Sequence, residues 1–453
     1  MLRRFVISFF LVFGCISAWG RTRPHYGGTL RVEVAGDPWG ESKNNPDGIA
    51  RHLVLDGLTS LDADGNVRPA LATDWQSADN NHRWEFTLRP GVHFHDGSPL
   101  TSTAVVMSLN LSCTENCPWT TVHAVGFQVV FAGDSPMPNL PALLAGDAYL
   151  IALTRTANGQ APASPTGTGA FQYTSYSNGV LVLTANDNCW QGRPCLDAIA
   201  ISANRAIRDQ WLDLSVGRTD VAEVPPQQLR QAQQQRLTVV VSPSVDLLAL
   251  QVSDSGALVN PVLRAAIARA VDRGALFNVI FQKQGEITAG LLPQTLTGYA
   301  FLFPTDRDVN KANELRGGLT PPPLTLAADG NPTMQLAAQR IALNLHEAGL
   351  NVQVVNARNA PHPDLALRTL PLVGADPAAA LETLLRAAGE NVPVLGQNPA
   401  ALFRAEHDVL DLNTLVPLLD LPRAYAISGR VRDLRLRADG APDLAGVSLE
   451  GAP

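Results

Sequence analysis

The chain has 453 residues, is 45% hydrophobic and 17% charged, and carries a formal charge of -7. That balance gives a nucleic-acid partner no electrostatic support, and it grows more negative if Arg3 and Arg4 leave with a leader. Length and apolar content together suffice for two or three domains with sizeable cores.

Met1 to Arg4 is basic and Phe5 to Cys15 is apolar apart from Ser8, while Ala18 and Gly20 are small residues two apart. This is the layout of a secretory signal peptide cut after Gly20. The apolar run is shorter than the roughly 20 residues that span a bilayer. "VFGC" at Val12 to Cys15 partly resembles a lipoprotein cleavage box with a bulky Phe13, so lipidation at Cys15 is the alternative to a free periplasmic or secreted protein. No later run is long and charge-free enough for a membrane helix, and a soluble mature chain is expected.

Further along, "DADGN" at Asp62 to Asn66 imitates the start of a calcium loop, but Val67 and Thr73 stand where its glycine and glutamate belong, so a hairpin turn is expected. Trp84 to Leu88 alternates like a strand. The next stretch, "VHFHDGSP" at Val92 to Pro99, holds two histidines and an aspartate that could ligate zinc or nickel or could mark a turn. Pro99 and Thr101 then introduce a helix containing Val105, Val106 and Leu109. Beyond Cys15 the cysteines fall in two close pairs, Cys113 with Cys117 and Cys189 with Cys195. Four cysteines allow three connectivities; in an oxidising compartment the local pairing is the simplest, and neither pair has the second pair that a zinc ribbon needs. "NGQAPASPTGTG" at 158–169 and "GGLTPPP" at 317–323 are candidate crossings or surface loops.

The second half reads as mixed α/β structure. In "VVVSPSVDLLAL", Ser242 to Asp246 joins two strand-like runs through a proline. Asn260 caps a helix with Pro261 in its first turn and Leu263, Ile267 and Val271 along a core stripe. Leu324 to Ala328, Thr333 to Ala348 and Leu350 to Val355 form a β-α-β unit capped at Gly349, so part of the chain builds a parallel sheet. Nucleophile-elbow, HExxH and phosphate-loop motifs do not occur, which argues against an enzyme.

Leu53 to Leu109, from "LVLDGLTSLDADGN" to "VHFHDGSPLTSTAVVMSL", resembles the signature region of the extracytoplasmic solute-binding proteins of family 5, the peptide and nickel receptors of ABC importers. "PTGTGAFQYTSY" from Pro165, "NDNCWQGRPCLDAIAI" from Asn186, the stretch from Asn260 to Pro293 and "LHEAGLNVQVV" follow in the family's order. The resemblance implies an α/β type II periplasmic-binding fold, two lobes with mixed sheets, one carrying an extra subdomain. With the signal peptide at 1–20, it places the first lobe in 25–47, 168–245 and 425–453, the extra subdomain in 48–167 and the second lobe in 246–424. It also implies a monomer that binds a small-molecule or peptide-like ligand without cofactor or metal and delivers it to an ABC permease in the membrane. A metal-dependent secreted enzyme and a sensing receptor of the same fold are the alternatives. Because the family carries "FHDG" irrespective of ligand, His93 and His95 read as part of a turn.

Peptide-binding members pair the ligand's α-ammonium with an aspartate a few residues before an acid-proline pair, in a stretch opening with tryptophan. Here Asp376 and Pro377 match the pair, but Val373 stands at the ammonium partner and Leu370 at the tryptophan. An apolar residue there removes a buried charge-assisted contact, so free-amine peptides become poor ligands. Ligand-binding candidates from positions resembling the family's loops are Asp37, Pro38 and Trp39 after the first strand, Ser244 and Val245 at the lobe crossing, and Leu370, Val373 and Asp376. Trp39 has packing as its alternative role and Asp376 has helix capping.

Overall fold

The computed structural model describes residues 26–39, 48–114, 117–155, 158–162, 164–298, 303–304, 306–374, 376–393, 395–396 and 398–450. The expected signal peptide and Cys15 lie outside these residues. The elements begin with β1 (Thr29–Glu33), α1 (Arg51–Val54), β2 (Thr59–Leu61) and β3 (Val67–Pro69). β4 (Ala72–Ala78), β5 (Arg83–Leu88), α2 (Ser102–Ser112), β6 (Thr121–Val125), β7 (Gln128–Ala132) and α3 (Leu140–Leu143) come next. Then follow β8 (Phe171–Ser177), β9 (Val180–Ala185), β10 (Ala198–Ser202), α4 (Ile207–Ser215), β11 (Val221–Glu223), α5 (Leu229–Gln234) and β12 (Thr238–Val252). α6 (Pro261–Ala270), α7 (Arg273–Ala275), β13 (Glu286–Ile287), α8 (Gln294–Thr297), α9 (Val309–Arg316), β14 (Leu324–Ala328), α10 (Pro332–Glu347), β15 (Val352–Asn356) and β16 (Leu365–Pro371) lead to the last quarter. There α11 (Pro377–Ala388), α12 (Pro399–Asp411) and β17 (Leu415–Ile427) precede four short strands, β18 (Val431–Arg432), β19 (Arg435–Leu436), β20 (Pro442–Asp443) and β21 (Ser448–Leu449).

One 11-stranded sheet runs β15-β14-β16-β12-β17-β11-β1-β10-β9-β8, with β13 added beside β17. β12 and β17 sit at its centre and are its two longest strands, because each serves both halves. Thr238 to Val241 pairs with Ala424 to Ile427, and Asp246 to Gln251 pairs with Leu415 to Leu421. Between those stretches the register shifts at Val241/Ser244 and again at Ser244/Asp246, where Pro243 cannot donate to the ladder. On one side of this break Leu30, Val32, Phe171, Leu181 and Ile199 form a core that also takes in Val431, Leu444 and Leu449 from the far end of the chain. On the other side the sheet is covered on both faces. Leu248, Leu250, Leu326 and Ile341 pack one face; Leu247, Leu370, Leu381, Leu384 and Leu402 pack the other. A separate four-stranded sheet, β4-β5-β7-β6, packs Phe86, Phe131 and Trp84 against Val105 and Leu109 of α2.

Several local expectations are met. β14, α10 and β15 are the β-α-β unit, with β14 and β15 parallel and Asn331 capping the helix through Thr333 N. Asn260 caps α6 through Val262 N. Asp62 Oδ1 accepts from Asp64 N at 3.1 Å and Asn66 N at 2.9 Å, closing the β2–β3 hairpin. In "FHDG", Asp96 Oδ1 accepts from Ser98 N and Oγ at 2.9 and 2.6 Å, which is an Asx turn. His93 is exposed and faces its own turn through Gly91 O, at 3.0 Å.

His95 has a different task. Its Nδ1 accepts from Gly167 N at 3.3 Å while its Nε2 donates to Gly169 O at 3.0 Å, an assignment that needs the neutral ring. Burial pushes its pKa down and keeps that tautomer. The ring holds "GTG" against α1 so closely that a Cβ at Gly167 would lie 2.1 Å from Val54 O and one at Gly169 2.5 Å from Leu53 O. The glycines in that motif are therefore there for approach of backbone to backbone.

Cys113 and Cys117 are bonded, as expected, but Cys189 and Cys195 are free thiols, which corrects the expectation for the second pair. Each is tied to a different neighbour. Cys189 N donates to Asn186 O and its thiol is buried in the turn, whereas Cys195 O accepts from Gly27 N ahead of β1.

Candidate functional site

The candidate region centres on the place where β12 and β17 change register. Val245 is buried, and its carbonyl accepts from Leu372 N at 2.7 Å. Ser244 is half-buried opposite Pro422. Asp246 holds Arg423 by two bonds, 2.6 and 2.9 Å, across the two strands, and Ser242 Oγ accepts from Arg423 N at 2.9 Å. The turn between β19 and β20 packs on this crossing. A Cβ at Gly440, whose φ is +75°, would sit 2.6 Å from a methyl of Val245. The crossing is thus pinned by an ion pair and a hairpin tip, while Pro243 and the shifts leave its ladder broken.

Among the described residues, hydrogen bonds also bridge the halves away from the crossing. Gln227, just before α5, bonds Thr333 at the start of α10, and Asn139, just before α3, donates to Glu382 of α11 at 3.0 Å. The loops following β1 and β16 carry the other candidate residues. After β1, Pro38 is buried and Trp39 is half-buried, with its ring 6.2 Å from that of Tyr173 and packed on the core beneath. Asp37 Oδ2 is buried without a hydrogen-bond partner, as is Glu33 Oε2 at the end of the strand. Burial pushes the Glu33 carboxyl up, against the pull of Arg205.

After β16, Val373 is half-buried, whereas Leu370 is only 1% exposed and lies inside the core between β16 and α11. Its side chain packs and presents nothing to a cleft, because an extended strand turns residues 370 and 372 to the covered face. Asp376 is exposed, and its Oδ1 accepts from Ala378 N at 2.7 Å and Ala379 N at 3.2 Å, capping α11. That carboxylate is already engaged in the capping alternative.

Two clusters escaped sequence reasoning. His52, Asp147 and Asp439 bring three ligand-type atoms within 4.8 Å of one another, but Arg437 lies 2.6 Å from Asp439 and 4.0 Å from Asp147, and Arg51 donates to Asp147 O. Burial opposes the charge on Asp147, yet His52 and the arginines outweigh it and hold its pKa at about 2. The arginines thus already supply this cluster with positive charge. The second cluster, Asp420 on β17, Glu406 on α12 and Glu286 on β13, has no such cation among the described residues. Asp420 is 3% exposed and Glu406 fully buried, and Asp420 Oδ1 and Glu406 Oε2 lack partners. Glu406 Oε1 accepts from Leu291 N and Leu292 N. Burial, reinforced for Asp420 by its acidic neighbours, pushes both carboxyls up to about 7. Nothing local in "LLDLPRAY" marks Asp420 as isolated; only its register opposite Glu286 does so.

The bacterial extracellular solute-binding protein family 5 (middle) model matches residues 66–389. Among curated proteins, the probable D,D-dipeptide-binding periplasmic protein DdpA of Escherichia coli K12 is 26% identical over 334 residues, 67% of this chain and 63% of that protein. The match therefore spans just under two thirds of that relative's length. Among solved structures, the oligopeptide-binding protein AppA of Bacillus subtilis, in complex with a nonapeptide, superposes with a TM-score of 0.79 at 17% identity. It covers 94% of this chain and all of that one. AgaA of A. tumefaciens R10, in complex with agropinic acid, gives 0.80 at 19% identity, covering 94% and 99%. The fold is the expected type II periplasmic-binding fold, and the chain belongs to the bacterial extracellular solute-binding proteins of family 5.

Proposed function

We propose that this chain captures a small solute between two lobes outside the cytoplasm and delivers it to the permease of an ABC importer, without changing it chemically. The lobes and subdomain are those of the residue ranges given above. What carries the reading is the crossing: two long strands join the halves, and both lose register over the same few residues. Two of the three register shifts between β12 and β17 fall there, which concentrates bending at 241–246 and 421–424, the geometry of a hinge. Asp37, Pro38 and Trp39 on one side and Val373 on the other then face the solute, with Ser244 at the back. Leu370 supports the second wall from within. Free dipeptides are poor ligands, because Val373 offers their α-ammonium no charge partner.

The test is a melting-shift screen over solutes, followed by mass spectrometry of the recovered ligand. A bound solute at 100 times its dissociation constant stabilises by about 2.7 kcal/mol. Truncation of Trp39 to Ala should weaken the best ligand without unfolding the protein. Conversion of that ligand into a product would overturn the receptor reading. Tight binding of free-amine peptides, with their blocked forms inactive, would overturn only the role given to Val373.

A further inference from the structure

Asp420 lies one residue from Leu421, which pairs with Asp246 at the edge of the register break. Its cross-strand partner on β13 is Glu286, which is exposed, so the two side chains share one face, one acid at the surface beside one that is buried. Glu406 of α12 is a second acidic neighbour of Asp420, its Oε1 fixed by two backbone N–H groups and its Oε2 unpartnered. No described Arg, Lys or His lowers the pKa of Asp420 or Glu406. A buried carboxylate with an unpartnered oxygen costs free energy unless something positive or a proton reaches it.

We propose that Asp420, with Glu286 at the entrance and Glu406 behind it, is a subsite for a cationic group, an ammonium or guanidinium, on the solute. The proposal rests on the receptor reading and names the ligand's chemistry within it. The cation enters past the exposed Glu286 and takes the place of the protons on the buried pair. The charge that position 373 no longer reads as an α-ammonium is thus read elsewhere, which favours solutes that are cationic away from a peptide amino terminus. Since Asp420 and Glu406 titrate at about 7, both are largely protonated at pH 6, and a cation must displace a proton. For one such group the ionised fraction rises about tenfold from pH 6 to pH 8, and affinity should rise with it.

The test is a melting-shift titration of the full chain with cadaverine and agmatine, with 1,5-pentanediol as the uncharged counterpart and calcium chloride as the inorganic cation, at pH 6 and pH 8. The amines should bind about tenfold more tightly at pH 8, the diol should not bind, and D420N should weaken the amines at least tenfold. E286Q, at an exposed position, should weaken them less and serves if D420N does not fold. No amine binding at pH 8, equal binding by wild type and D420N, or a D420N-sensitive response to calcium alone would overturn the proposal. If the cations fail while a neutral solute binds and is recovered unchanged, the receptor reading stands and this subsite falls.

Discussion

Asp220 lends itself to a quantitative test, because a single fully buried carboxylate joins three distant segments. It accepts from Arg31 Nε at 2.9 Å and Nη2 at 3.0 Å, from Arg31 N at 3.0 Å, and from Arg430 Nε and Nη2 at 2.7 Å each. Ser428 Oγ adds a bond at 3.2 Å. Burial opposes the charge, but the two guanidinium groups outweigh it and hold the pKa at about 2, below its ordinary 3.8. That depression corresponds to about 2.5 kcal/mol of stability, present above pH 4 and lost as the pH falls toward 2. Asp220→Asn keeps the shape but turns an amide toward a guanidinium, so the cost at pH 7 should reach about 3–4 kcal/mol. Urea unfolding followed by tryptophan fluorescence measures it, and a pH series should show the variant lacking part of the wild-type loss between pH 4 and 2. A cost below about 1 kcal/mol, or an unchanged acid limb, would refute the argument that this carboxylate is the charged hub of its lobe.

The opposite sign is expected for Asp420 and Glu406. Their folded pKa values, about 7, lie above the ordinary 3.8 and 4.5, so stability should fall as the pH rises from about 4 to 7, and D420N with E406Q should flatten that slope. Leu370→Ala, inside the core, should cost about 2–5 kcal/mol in denaturant melts, far more than truncation of a cleft-lining leucine would. Nonreducing peptide mapping should find Cys113 linked to Cys117, and Cys189 and Cys195 open to alkylation after unfolding; a 189–195 bridge would contradict the structure. His95→Gln should lower stability by about 1–2 kcal/mol by loosening Gly167 and Gly169, whereas His93→Gln should leave both stability and metal content unchanged.

Much of this was legible because it is local. The caps at Asn260 and Asp376, the turns at Asp62 and Asp96 and the unit from Leu324 to Asn356 depend on residues within a few positions of one another. Pro243 likewise marks the strand crossing in the bare sequence. What stayed hidden depends on partners far along the chain. The thiols of Cys189 and Cys195 are close in sequence, yet their backbones are anchored to different segments. Leu370 reads as a site residue by position, but strand alternation turns it inward. Asp420 looks like any strand-end aspartate until Glu286 and Glu406, more than 130 and 10 positions away respectively, are found around it with no counter-charge.

The placement of β17 also governs when the protein can assemble. β11 touches β1 on one side and Tyr425 to Ile427 on the other, and Leu30 shares a core with Val431 and Leu449. β1 itself is flanked by β10 and β11, but the outer edge of β11 and the core beneath β1 are completed only from Tyr425 onward. At about 5–20 residues per second, the roughly 200 residues between β11 and Tyr425 take about 10–40 s, during which β11 keeps an unpaired edge and the core beneath β1 stays unfinished. A chain arranged this way spends its synthesis as an open, aggregation-exposed intermediate, and shortening it at the far end removes the foundation of its beginning.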